Sequence, residues 1–202
     1  MRVENLKFAA ALILGGLTAG CNGPKTPAPP GQNQTAPPEP PLKLVIRQGQ
    51  TLPQELAGRW VANAFGWEFV LDPNQGIVSA ILDNWRINMR PGQTVLVPML
   101  EDALSTYEPG TWTLEYNVAT RDLTLEIVLK RFHVELGKTQ RIDGHSTDIF
   151  SGRVSDDFQR WPAQWVSFPK YQATTSNGSW DLPVNPEDTA TDLVFVKVPE
   201  QK

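Results

Sequence analysis

The sequence predicts an all-β domain, an antiparallel meander closed as a barrel or folded as a sandwich, carried behind a disordered proline-rich tether. Three observations carry that expectation. Apolar residues alternate with polar ones over several short runs. Turn-forming residues punctuate those runs at short intervals. No apolar stripe of helical period persists for a useful length. Many short strands between frequent turns build barrels or sandwiches.

The elements follow in order. Leu42, Leu44 and Ile46 alternate with Lys43, Val45 and Arg47 in a first strand. Thr51 to Leu56 has the form of a short helical turn, with Thr51 as cap, Pro53 early and Gln54 at the capping-box place. Gly58-Arg59-Trp60-Val61 opens an extended stretch. Trp67 to Leu71 is apolar around Glu68. Asp72-Pro73-Asn74-Gln75-Gly76 then turns the chain into a strand from Ile77 to Leu82. Trp85 to Met89 alternates again, Pro91-Gly92 breaks it, and Thr94 to Val97 resumes.

The clearest element is 111–130. Trp112, Leu114, Tyr116 and Val118 share one face, Ala119 to Asp122 turns, and Leu123, Leu125, Ile127 and Leu129 share the next. That is a hairpin with one buried face. Beyond it Phe132, Val134 and Leu136 hold the apolar face, so the phase slips once, which marks a bulge or a corner. His145 to Val154 and Thr191 to Val198 are further strands. Lys170 to Ala190 is too polar for core and reads as a long loop, with Trp180 making it a packed lid.

The N-terminal segment differs in kind. Residues 1–20 carry Arg2 and Lys7, then a ten-residue apolar run from Phe8 to Leu17, then Thr18, Ala19 and Gly20 before Cys21. The run is too short for a bilayer span of about 20 residues and fits the apolar region of a secretory signal. Thr18-Ala19-Gly20-Cys21 resembles the lipobox of bacterial lipoproteins, with Thr at the first place and Leu17 one residue early. The resemblance implies cleavage before Cys21, diacylglycerol on its sulfur, and an acylated amine. It also implies a cell-envelope location, at the outer membrane of a Gram-negative cell because Asn22 is not Asp. Sulfur nucleophilicity explains the cysteine. Buried acyl chains, at about 0.8 kcal/mol per CH₂, explain stable anchoring.

Cys21 is the sole cysteine. It excludes an internal disulfide and a cysteine-built metal site. Without residues 1–20 the chain holds 16 basic and 21 acidic residues, a net charge of −5. That balance gives no footprint for nucleic acid and no electrostatic hold on an anionic membrane. Residues 21–41 are then the lipidated cysteine and its linker. Eight of residues 22–41 are proline, so the segment favours extended polyproline II and reaches about 60 Å. It reads as a stalk; the alternative is a docking site for a proline-reading domain or the cell wall. Residues 42–202 form the β-rich domain.

Leu56-Ala57-Gly58-Arg59-Trp60, after a helical turn and before a meander, resembles the Gly-x-Trp opening of lipocalins and related calycins. The resemblance implies a barrel closed at one end by Trp60, on which a late-strand arginine would pack. Thr191-Asp192-Leu193 is similar to that family's Thr-Asp-Tyr motif but lacks the tyrosine, and no arginine follows it.

The candidates for chemistry are few. His133 is out of phase with the apolar strip and reads as a solvated strand residue. Asp143-Gly144-His145-Ser146-Thr147-Asp148 offers a base, an orienting carboxylate and a hydroxyl, yet neighbours on a strand face opposite ways, and a glycine turn explains the run. No metal-binding spacing is present, and no catalytic residue, metal or cofactor is assigned. The seven tryptophans are core rings or an aromatic pocket. Trp60, Trp67 and Trp112 are the pocket candidates. Trp161 and Trp165 would share one face of a strand that Pro162 confines to an edge. Three function classes stand: an envelope lipoprotein whose domain binds or supports another envelope component, a carrier of a small apolar or amphipathic ligand, and a hydrolase, which has no constellation behind it.

Overall fold

The computed structural model describes residues 40–48, 51–82, 87–98, 104–135, 140–182 and 190–199. Cys21, the tether before Pro40, Trp85 and Leu136 lie outside them. Pro40–Lys202 is one compact unit. No helix among the described residues is long and apolar enough to cross a membrane.

The unit is nearly all strand. β1 is Leu42–Arg47, β2 Gly58–Ala62, β3 Trp67–Asp72, β4 Gly76–Leu82, β5 Ile87–Met89, β6 Val95–Pro98 and β7 Leu104–Pro109. β8 is Trp112–Asn117, β9 Asp122–Glu135, β10 Arg141–Arg153, β11 Arg160–Thr175, β12 Gly178–Leu182 and β13 Ala190–Val198. All join one sheet, whose main path runs β1-β8-β9-β10-β11-β13-β2-β3-β4-β5. Every pairing is antiparallel except β1 on β8. The sheet is mixed and not closed: no ladder joins β1 to β5 among the described residues. The barrel expectation is corrected accordingly. Parallel β1 cannot continue an up-and-down meander, so β1 and β5 end the main path as edges, and β6 and β12 are further edge strands among the described residues.

The long strands β9, β10 and β11, of 14, 13 and 16 residues, are the spine. β8 and β7 lie end to end along β9. β13 and β12 do the same along β11. The phase slip in β9 is a bulge: Phe132 faces Gly144 and Leu129 faces Ser146, so Lys130 and Arg131 together oppose His145. The bulge divides the spine into a core half, with β8 and β13, and an arm, with β6, β7 and β12.

In the core half the sheet rolls until its inner face meets itself. Phe69 of β3 packs on Phe150 of β10 at 5.0 Å and on Phe195 of β13 at 5.1 Å. Trp161 stacks on Phe195 at 4.8 Å. Trp165 and Phe150 lie parallel at 5.9 Å. β1 and the β3–β4 turn approach through side chains: a Cβ at Gly76, whose φ is +82°, would fall 2.9 Å from Leu42 Cδ2. Glycine there serves the turn and leaves room for β1.

Turn chemistry matches the sequence where side chains cap the turn. Asp72 Oδ1 accepts from Asn74 N at 2.7 Å and from Gln75 N at 3.1 Å. Asn117 Oδ1 accepts from Ala119 N at 3.1 Å in the β8–β9 turn. Other expectations change. The helical turn is a 3₁₀ turn over Gln54–Leu56, preceded by Pro53 with no side-chain cap, so Thr51 does not cap it. The 170–190 segment is largely a hairpin: β11 runs to Thr175 and β12 returns along it, with Trp180 opposite Ala173. The exposed position of the arm explains the polarity of that segment, and Trp180 is 47% exposed rather than packed as a lid. Asp143 to Asp148 is strand, not turn. β11 lies inside the sheet, yet its ladder with β10 stops at Gln164, so at Pro162 it is paired with β13 alone.

Gly144 is required by close approach: a Cβ there would lie 2.4 Å from Lys170 O and 2.6 Å from Phe132 Cζ. Gly144→Ala should cost about 1–3 kcal/mol through that overlap. Urea unfolding followed by circular dichroism would measure it, and an unchanged midpoint would contradict the packing described.

Candidate functional site

The arm presents two faces. Its inner face carries an aromatic ladder: Tyr107 and Phe132 at 6.5 Å, then Phe132 and Tyr171 at 5.5 Å over Gly144. Its outer face carries charge. Thr106, His133, Asp143, Gln172 and Asp181 form one rung across β7, β9, β10, β11 and β12. Residues directly opposite on paired strands share a face, which brings together groups far apart in sequence.

His133 is the centre of this face. Its Nδ1 lies 2.8 Å from Asp143 Oδ1. The ring nitrogen is the donor of this hydrogen bond in the tautomer that protonates Nδ1. Nε2 is 3.6 Å from Glu135 Oε1. Arg141 Nε meets the other Asp143 oxygen at 3.2 Å. Glu135 Oε2 also accepts from the Leu104 backbone N–H at 2.9 Å, tying β7 to β9. Thr106, Glu108, Arg131, His133, Arg141 and Asp143 line a concavity of about 290 Å³. Beside it, Leu96 is 59% exposed, and Leu104 is also exposed. The face thus offers an ordered set of both charges next to apolar surface. Such a surface suits recognition by complementary ion pairs.

Among the described residues no hydroxyl or thiol is hydrogen-bonded to His133. His145 is exposed on the outer face, whereas Asp148 is buried on the inner one, so the Asp143–Asp148 run does not converge. No group of three His, Cys, Asp or Glu side chains could hold a metal among the described residues.

The pocket candidates lie in the core. Trp60 and Trp112 are fully buried, and Trp67 nearly so. Trp60 Nε1 donates to Leu56 O at 3.0 Å and Trp112 Nε1 to Val128 O at 3.2 Å. Trp67 Nε1 has no partner among the described residues; its ring packs on Phe150 at 5.1 Å and on Trp165 at 5.9 Å. Opposite Trp60 in the ladder, Lys197 of β13 donates from Nζ to Glu55 O at 2.7 Å. A late-strand lysine therefore stands near that residue, where the lipocalin resemblance implies an arginine.

One ionisable group is buried among these rings. Asp148 accepts from Trp165 Nε1 and from Ser146 Oγ, each at 3.0 Å. Burial pushes its carboxyl above the usual range, against the hydrogen bonds from Ser167, Trp165 and Ser146. Burial, with the charge of Asp148, also pushes the Tyr171 hydroxyl up to about 12.

The His133–Asp143 pair is hidden in the sequence because it spans two strands. The signal is the bulge, which puts His133 on the outer face and lets the next strand supply a carboxylate opposite. The inward orientation of Asp148 is legible only from the alternation with Ser146 and Phe150.

Asp148 sets a pH dependence with a definite sign. Its carboxyl titrates near ~3.9 when unfolded and higher when folded. Between those values the native state binds more protons, so stability declines as pH rises through the window. Asp148→Asn should abolish that decline and leave urea stability flatter above pH ~4. Parallel curves for the two proteins would refute the assignment.

Searches of protein families, of curated proteins and of solved structures found no match to this chain.

Proposed function

We propose that the chain is a lipid-anchored extracytoplasmic lipoprotein whose β-domain recognises another envelope component through the outer face of its arm. The observation that carries the anchor is the apolar run Phe8–Leu17 ending in Thr18-Ala19-Gly20-Cys21, with that cysteine the sole one in the chain. A compact unit that starts at Pro40 supports the reading of a tethered domain. The proline-rich linker gives such a domain reach from a membrane. Recognition by a surface draws support from two features. Aromatic rings fill the interior of the core half. The exposed leucines and the His133–Asp143–Arg141 cluster share one outer face. The carrier reading has less support, because its three tryptophans are engaged in packing.

Cys21→Ser should abolish labelling by radioactive palmitate and release the protein from the membrane fraction, or stall its processing. Normal labelling and retention would sink the anchor. For the face, a photo-crosslinking residue at Leu96 should capture an envelope component. Arg131→Glu combined with Arg141→Glu should weaken that capture about tenfold or more, since close charge pairs across interfaces couple by kcal/mol amounts. Equal capture, with an unchanged circular dichroism spectrum, would remove the face from the proposal.

A further inference from the structure

A second concavity lies on the outer surface where β10 gives way to β11. It measures about 390 Å³ and is lined by Arg153, Val154, Ser155, Asp156, Arg160, Pro162 and Val194. Two guanidinium groups border it, and neither forms an ion pair among the described residues. They stand so in a chain whose formal charge is −4. Nearby carboxylates have other hydrogen-bond or ion-pair partners, although Asp157 also feels the charge of Arg160 and Asp122 stands opposite Arg153 in the β9–β10 ladder. Asp156 pairs with Arg121. Asp157 accepts from Ser155 Oγ at 2.6 Å and from Gln159 N at 3.1 Å.

The loop between the two arginines, which end β10 and begin β11, is pinned at several points. Ser155 N donates to Arg160 O at 2.8 Å, and Arg160 N donates to Ser155 Oγ at 2.9 Å. Val154 N donates to Arg121 O and Lys197 N to Gln159 O, each at 3.0 Å. Both arginines therefore leave fixed backbone. Pro162 and Val194, paired across β11 and β13, give the concavity an apolar floor, and exposed Val196 extends it opposite Arg160.

We propose that this concavity binds an amphipathic oxyanion, a phosphate or carboxylate joined to a short apolar group. Guanidinium is the side chain suited to oxyanions because its planar donors match two oxygens at once. The floor receives the apolar part. Neither feature depends on the lipid anchor or on the arm face. A lipid headgroup and a free amphiphile share this chemistry.

The test uses the chain from residue 21 carrying Cys21→Ser, which retains the whole compact unit. Octyl phosphate, octanoate, inorganic phosphate and octyl glucoside are titrated while backbone amides are followed by NMR. Octyl phosphate and octanoate should bind saturably and shift the amides of 153–160 and 194–196. Inorganic phosphate should bind more weakly, and the neutral glucoside should leave those amides unmoved. Arg153→Gln with Arg160→Gln should weaken octyl phosphate binding about tenfold or more, as loss of charged hydrogen bonds does. Glucoside binding equal to octyl phosphate, unchanged affinity in the double variant, or shifts confined to other strands would each overturn the site. Vesicles containing phosphatidylglycerol then identify the source. Competition with octyl phosphate points to a lipid headgroup. No competition, with soluble binding intact, points to a free amphiphile.

Discussion

The structure depends on burying one face of a single sheet without a disulfide. A flat sheet would leave Phe69, Phe150, Trp161, Trp165 and Phe195 in water. Rolling brings those rings within 4.8–6.3 Å of one another. Each aromatic contact adds about 0.5–1.5 kcal/mol beyond the area it buries. Indole N–H groups would cost free energy if buried unpaired. Trp60, Trp112 and Trp161 meet that demand with backbone carbonyls and Trp165 with Asp148. The carboxylate buried beside Trp165 is thus part of the core's polar accounting.

The bulge at Lys130 and Arg131 has the second largest consequence. It lets three strands run past the rolled core while keeping apolar residues on the inner side. The arm's outer side then carries the charged groups of β9 and β10 beside the exposed leucines of β6 and β7. His133, Glu135, Arg141 and Asp143 come into register there because the bulge restores the alternation with a shift of one residue. An ionic cluster on exposed strands adds little to stability when it is screened by water. Its ordered geometry is of greater use in matching a partner than in holding the fold.

The two outer surfaces differ in charge logic. On the arm, acidic and basic groups are paired and neighbouring leucines are exposed, which suits a protein-like surface. At the β10–β11 junction, Asp156 pairs with Arg121 and Asp157 caps its own loop, and two guanidinium groups without a direct ion pair border a hydrophobic floor.

Local chemistry made much of this molecule legible. Alternation in 111–130 located β8 and β9, because a period of two has one reading on a half-buried strand. Asp72 and Asn117 marked their turns through side chains that bond the backbone nearby. The slip after Leu129 located the bulge. The segment ending at Cys21 is read from sequence alone. What the sequence left undecided required partners distant in the chain. Parallel pairing of β1 with β8, the open sheet, and the return of β12 on β11 depend on which edges meet. The His133–Asp143 contact, the inward Asp148 and the loop that orients Arg153 and Arg160 depend on register between strands. Only the tertiary structure fixes register, because ladder hydrogen bonds are alike at every residue and the choice is made by rings packing across the roll.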